Sequence, residues 1–248
     1  MDAKKFRADI HELAERACKG ESQAVTSDTF GVAEILVKLY RKNLVKINHS
    51  ALELVCAKHL IKRGYDVKVE HRLDKTLVCD LMGSRTDGNI VVEIETGYVP
   101  PEAALDPVLY AKSRIASKVA RYSGFAKRLG LGTTPTYILD FPGVFLSPEG
   151  SRLKKTLEDI KAMTDRYYDH PPVSIAELKR ARLDSVFVID VDAGETTEVD
   201  PGDYLKKAGV LAALSPSAQD LNRKGSQIGA GLTSQKQGPK EREVGLDF

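Results

Sequence analysis

The chain has 248 residues, 42% of them hydrophobic and 29% charged, with a formal net charge of +2. That composition excludes a wholly disordered or fibrous chain, and the length suffices to bury a core without disulfide staples. The near-neutral balance does not announce a nucleic-acid partner, so any such case rests on where the charges lie.

In chain order, Phe6, Ile10, Leu13, Ala14 and Ala17 form one stripe and predict an amphipathic helix over residues 1–20. The start has no apolar segment of the signal-peptide kind, and the apolar runs, such as 186–189, are too short to cross a bilayer. Cys18, Cys56 and Cys79 lie in no metal-binding spacing and read as reduced residues of a cytoplasmic protein. Residues 20–31 are polar and turn-rich, a linker that closes an N-terminal segment, 1–31. Ile35, Leu36, Leu39 and Tyr40 predict a second helix, and Leu52, Val55, Cys56 and Leu60 a third over about 50–63, stopped by Gly64.

The period then changes. Residues 65–71, 76–82 and 89–95 read as short strands, with Asp87-Gly88 as the hairpin turn between the last two. Asp106-Pro107 opens a long helix to about Leu129, carrying Ile115, Val119, Tyr122, Ala126 and Leu129, with Gly130-Leu131-Gly132 as its stop. Residues 137–141 read as a strand between Pro135 and Pro142, residues 149–168 and 174–182 as helices, and residues 185–191 as a last strand. Asp190, Asp192 and Glu195 then mark a polar strand exit. From about Ala213 the chain turns to Ser, Gln, Gly, Lys and Glu, so residues 213–248 are expected to be a disordered tail behind a main domain, 32–212. The order describes an α/β fold, a mixed sheet flanked by helices.

The chemistry concentrates on strand 89–95. Val91, Val92 and Ile94 mark it as buried, yet Glu93 and Glu95 project to the same side as Val91. A turn at Asp87-Gly88 pairs Thr86 with Asn89 and puts Asp80 opposite Glu95 and diagonal to Glu93. Any register shifted by an even number keeps the three acids on one face, within ~5–8 Å. Either some are then protonated, or a hard divalent cation holds them together, or the strands form an edge with one wet face. Glu53 borders the buried stripe of the preceding helix, where it either joins these acids or closes a capping box with Ser50. Arg114, Lys118 and Arg121 recur at helical spacing beside an apolar stripe, and Arg128 extends the row. Such a row next to acids suits phosphodiester chemistry, although for each residue a solvated face is the alternative. Lys112 points elsewhere. His49, His59, His71 and His170 are scattered, with no nucleophile signature.

Helical Glu53, then Asp80, then Glu93-Ile94-Glu95 on an apolar strand, then a basic helix, resembles the PD-(D/E)XK nuclease superfamily: restriction endonucleases, archaeal junction resolvases and RecB-like exonucleases. Its αβββαβ core matches the element order over about 50–141, a little over a third of the chain. The resemblance implies a nuclease using Mg²⁺ (or Mn²⁺) on DNA. Asp80, Glu93 and the Ile94 carbonyl would hold the ion, and Glu53, Asp80, Glu93, Glu95 and Lys118 would be catalytic. Arg114, Lys118, Arg121 and Arg128 would grip the nucleic acid, and family members often act as homodimers. The chain departs from the pattern in carrying Glu95 where the family usually has lysine, a role Lys118 or Arg114 would take over. Lys118 and Tyr122 stand where RecB-like members have Gln-x-x-x-Tyr. The rivals are an inactive nuclease-like module that binds DNA or a protein, and an enzyme acting on a small phosphorylated substrate.

Overall fold

The structure, a computed structural model, describes residues 2–169 and 171–213. The chain divides into two units, residues 1–208 and 209–248, and the account below concerns the first. Apart from Ala213, the expected disordered tail lies outside the described residues. No helix among the described residues is long and apolar enough to cross a membrane.

The N-terminal helices are α1 (Ala3–Ala17), α2 (Gln23–Arg41) and α3 (Ile47–Lys62). The five residues of the α1 stripe are all buried, and Asp2 caps the helix by accepting from the Lys5 amide. The linker expected over 20–31 is instead helical from Gln23. The Ser22 hydroxyl accepts from the Val25 amide and supplies the cap, while Thr29, Val32, Ala33, Leu36 and Val37 face inward. The polar residues there are the wet face of a helix. Helix α3 starts three residues earlier than the spacing suggests, so Ser50 is not its cap and the capping box with Glu53 does not form. It ends before Gly64, whose φ of 81° only glycine adopts freely.

Strands β1 (Asp66–Arg72), β2 (Val78–Arg85) and β3 (Gly88–Glu95) make an antiparallel meander. Helix α4 (Pro107–Tyr122) leads to β4 (Arg128–Thr133), which runs parallel to β3. Helices α5 (Lys154–Asp165) and α6 (Ile175–Arg180) precede β5 (Ser185–Asp190), parallel to β4. Strand β6 (Glu195–Val199) folds back against β5, and α7 (Pro201–Ala213) follows. The sheet has six strands in the order of the sequence. Residues of α1, α2 and α3 cover Leu81, Ile90, Val92, Ile94 and Phe187 on one face. Residues of α4, α5 and α6 cover Val91, Leu129, Leu131 and Val186 on the other. The expected αβββαβ order is present as α3-β1-β2-β3-α4-β4, with helices on both faces of a mixed sheet.

Several expectations shift. The long helix stops at Tyr122, and Leu129, expected on its stripe, belongs to β4. Gly130 and Gly132 are strand residues, not a stop signal. A Cβ on Gly132 would come within 2.9 Å of both Ile94 and Ile189, so the glycines give neighbouring strands' side chains room. Residues 137–141 are not a strand. Leu139 and Phe141 are buried as expected, but the Tyr137 carbonyl accepts from the Thr133 hydroxyl and the Leu139 amide donates to the Tyr204 hydroxyl. The helix expected from 149 starts at Lys154 and leaves Leu153 exposed. Strand β6 was not anticipated. It is turned by Gly194 (φ 67°), which lies so close to α1 that a Cβ would meet Ala17 at 2.8 Å.

Lys58, on α3, is almost wholly buried. Its Nζ donates to the carbonyls of Ala17 (3.1 Å) and Gly194 (2.9 Å) and to Glu195 Oε1 (2.8 Å). One ammonium thereby ties α1, α3 and the β5–β6 turn together.

Candidate functional site

The hairpin turn is Thr86-Asp87, and Arg85 pairs with Gly88. The Arg85 guanidinium clasps Asp87 across it. The register is therefore two residues from the expected one. That even shift puts Asp80 opposite Glu93 instead of Glu95 and leaves every acid on its expected face.

Ladder pairing of β2 with β3 ends at Leu81↔Val92. Beyond it side chains replace the backbone partners. The Asp80 amide donates to Glu93 Oε1 (3.2 Å), and the Ile94 amide donates to Asp80 Oδ2 (2.5 Å). On the other side of β2, the pairing passes from Val69↔Leu81 to His71↔Cys79 and skips Glu70. Glu70 takes a φ of 47°, uncommon for a residue with a Cβ. Asp80 thus sits between two interruptions of the sheet, where both helix layers reach it.

From α3 come His49, whose Nε2 lies 3.1 Å from Asp80 Oδ1, and Glu53, which is fully buried. Each of His49, Glu53 and Asp80 offers a ligand atom, and all three atoms lie within 4.8 Å of one another. Neither oxygen of Glu53 has a hydrogen-bond partner among the described residues. From α4 comes Lys118, its Nζ 3.0 Å from Glu93 Oε2 and 2.6 Å from Glu95 Oε1. Arg114 Nε lies 3.2 Å from Glu95 Oε2. Glu93 and Glu95 are each only 2% exposed, so these pairs are largely withdrawn from solvent screening.

The charges sort accordingly. Burial, with the neighbouring charges of Asp80 and Glu70, pushes the Glu53 carboxyl up to about 10. Burial and Asp80 push Glu93 up to about 8. Burial acts on Asp80 in the same sense, but His49, Lys118 and the Ile94 amide outweigh it and hold Asp80 below the usual range. Burial disfavours charge on Lys118, yet Glu93, Glu95 and Asp80 keep it well above the ordinary lysine value. At neutral pH Glu53 is protonated, Asp80 is ionised and Lys118 is charged.

Of the residues singled out in the sequence, Glu53, Asp80, Glu93, Glu95, Lys118 and Arg114 converge here. Ile94 joins through its amide. Arg121 lies one turn further along α4 and donates to the Pro171 carbonyl. Arg128 does not extend the row. It begins β4 beside Ile90, at the opposite end of β3 from Glu93, and pairs with Glu198 and Ser185. Lys112 pairs with Asp140 (3.1 Å), away from the acids. His49 and Glu70 were missed. The signal for His49 was its spacing of four from Glu53, hidden by placing the helix start too late; nothing in the sequence marks the φ of Glu70.

The buried carboxyl of Glu53, with the His49 imidazole 3.9 Å from its Oε1 and Asp80 beside it, is part of a donor set that fits a divalent cation. The fold is that of an α/β protein whose three-strand meander and following helix frame an acidic centre. No family model and no curated protein matches the sequence. Two solved structures are similar to it. One is SPO1766, a protein of unknown function from Silicibacter pomeroyi, at 13% identity and a TM-score of 0.32, with 74% of this chain and 94% of that chain covered. The other is SfsA of Pyrococcus furiosus in complex with Ca²⁺, at 13% identity and a TM-score of 0.26, with 60% of this chain and 59% of that chain covered. Likeness at this level does not bear on what the chain does.

Proposed function

We propose that this chain is a metal-dependent nuclease that hydrolyses phosphodiester bonds in DNA, with Mg²⁺ or Mn²⁺ as its ion. The observation that carries the reading is the position of Lys118, its Nζ 3.0 Å from Glu93 and 2.6 Å from Glu95. It brings from α4 the cation that the resembling superfamily usually carries on the strand, where this chain has Glu95.

Asp80 and Glu93 would hold the ion, with His49 and Glu53 at its flank. Such an ion, when bound, lowers the pKa of a coordinated water and offsets charge on the scissile phosphate. The chain's own groups do the rest. Lys118, held charged, faces the negative charge that builds on the phosphoryl oxygens. Glu95 is ion-paired with both Lys118 and Arg114 and so aims the two cations. His49, bonded to Asp80, fixes the orientation of that carboxylate.

A second reading has its own support. Lys118 and Arg114 already pair with Glu93 and Glu95, and a protonated Glu53 needs no counterion, so the centre needs no metal to balance its charge. This is what an inactive nuclease-like module binding DNA or a protein would show. Calorimetric titration of the full chain with Mn²⁺, paired with a DNA cleavage assay, separates the two. Binding and cleavage that both vanish in Asp80→Ala support the nuclease; neither in the wild type leaves the inactive module.

A further inference from the structure

Beside the acids, α4 forms one wall of a cleft of about 290 Å³ lined by Leu77, Tyr122 and Tyr168 together with Arg114, Lys118 and Arg121. Two of its cations are committed, Lys118 to Glu93 and Glu95 and Arg114 to Glu95. Arg121 is engaged with the neutral Pro171 carbonyl, so its charge is not offset by that contact. Tyr122 is fixed by donating its hydroxyl to the Val78 carbonyl (2.8 Å), and Tyr168 is backed by Tyr110 at 6.1 Å. The cleft therefore offers immobilised rings, an aliphatic side and one guanidinium with no acidic partner among the described residues, about one helical turn (~5 Å) beyond the lysine that touches the acids. A planar aromatic group with a negative charge attached matches that surface.

We infer that this cleft receives a single nucleotide unit, its base against Tyr168 and Leu77 and its phosphate on Arg121, so that the substrate is a single-stranded or frayed strand. The inference rests on the nuclease reading and narrows it. The volume lies just under the usual range of ligand pockets (~300–1,000 Å³), room for one base; a paired base would bring its partner and a second backbone. A formal net charge of +2 also gives little long-range attraction for intact duplex, whereas stacking on rings needs none. Tyr168 is thus a recognition residue that no sequence motif marks.

The test is fluorescence polarisation of the full chain, in EDTA, with a short labelled single strand and with the blunt duplex of the same sequence. The single strand binds at least about tenfold more tightly. Tyr168→Ala lowers that affinity by roughly ten- to a hundredfold, Tyr168→Phe keeps it within about twofold, and duplex binding moves with neither. Arg121→Ala, at a half-exposed position, flattens the slope of log affinity against log salt by about 0.7 and carries the test if Tyr168→Ala fails to fold. Equal affinity for both forms, with the variants unchanged, overturns the cleft, while cleavage of either form in Mn²⁺ leaves the nuclease reading standing. No cleavage of either form by the wild type overturns the nuclease reading, and the cleft as a single-strand binding site then stands or falls on the binding measurements alone.

Discussion

Two sets of carboxylates lie against this sheet, and they differ in what they lack. Glu198, on β6, faces the guanidinium of Arg128, the Ser185 hydroxyl (2.6 Å) and Arg63 (2.6 Å). His59 beside it, then Ser185 and Arg128, outweigh burial and hold its carboxyl well below the usual range. Glu53 and Glu93 are more deeply buried, and both are displaced upward. Burial works in the same direction on all three; the balance of donors against neighbouring negative charge decides the sign. A saturated carboxylate such as Glu198 fastens parts of the chain to one another. One with unused oxygens, as Glu53 has, remains open to something from outside.

The largest test of this contrast is Asp80→Ala. It should lower DNA cleavage by on the order of 10³-fold or more while lowering the thermal midpoint only modestly, because relief of the repulsion on Glu53 and Glu93 offsets part of what is lost with the His49 pair and the Ile94 amide's acceptor. A variant that unfolds would move Asp80 into the same structural group as Glu198. Next, Lys118→Ala should reduce turnover by roughly 10²-fold with little change in affinity at moderate salt. A loss of affinity instead, matched by Arg114→Ala, would make both residues backbone contacts.

Smaller and opposite effects are expected on stability. Glu198→Gln should cost about 1–3 kcal/mol, since Arg63, Arg128 and Ser185 lose their charged acceptor, with cleavage unaffected. Glu53→Gln should gain about 1 kcal/mol at slightly alkaline pH, a rise of roughly 2–4 °C in the midpoint, and should impair cleavage. The pH slopes oppose each other. Glu198 is depressed on folding, so its stabilisation is present above an unfolded value near 4.5 and is lost as pH falls below it. Glu53 is raised from 4.5 to about 10, so the folded state holds a proton the unfolded state releases, and stability declines as pH climbs through that window. Chemical denaturation across pH, with each variant subtracting its own slope, checks both signs.

Much of the centre was legible in the sequence because local geometry sets it. Strand alternation put Glu93 and Glu95 on one face, and a spacing of four along α4 put Lys118 beside Arg114. The hairpin register was misread by two residues and still kept the acids together, since a strand repeats every two. What the sequence hid depends on distant contacts. Arg128 is placed on a helix by the spacing because Leu129, preceded by Ala126, continues a helical stripe; pairing with β3 and β5 makes that segment a strand, and Phe187 and Ile94 leave room there only for glycine. His49 and Glu70 join the site only through the true start of α3 and a single unusual backbone angle.

The Lys58 clamp bears on how the chain is made. Spatial strand order follows sequence order, so each strand leaving the ribosome can add to the edge left by the one before. The acceptors of Lys58, however, come from Ala17 at one extreme and from Gly194 and Glu195 near the other. Until the β5–β6 turn has been synthesised, that ammonium lacks two of its three hydrogen-bond acceptors and keeps only the Ala17 carbonyl and the more distant Glu21 carboxylate (3.8 Å), so α3 buries it only partly satisfied. The N-terminal helices therefore dock in final form only late in synthesis, and removing α1 would strip a buried cation of a ligand as well as uncover the sheet.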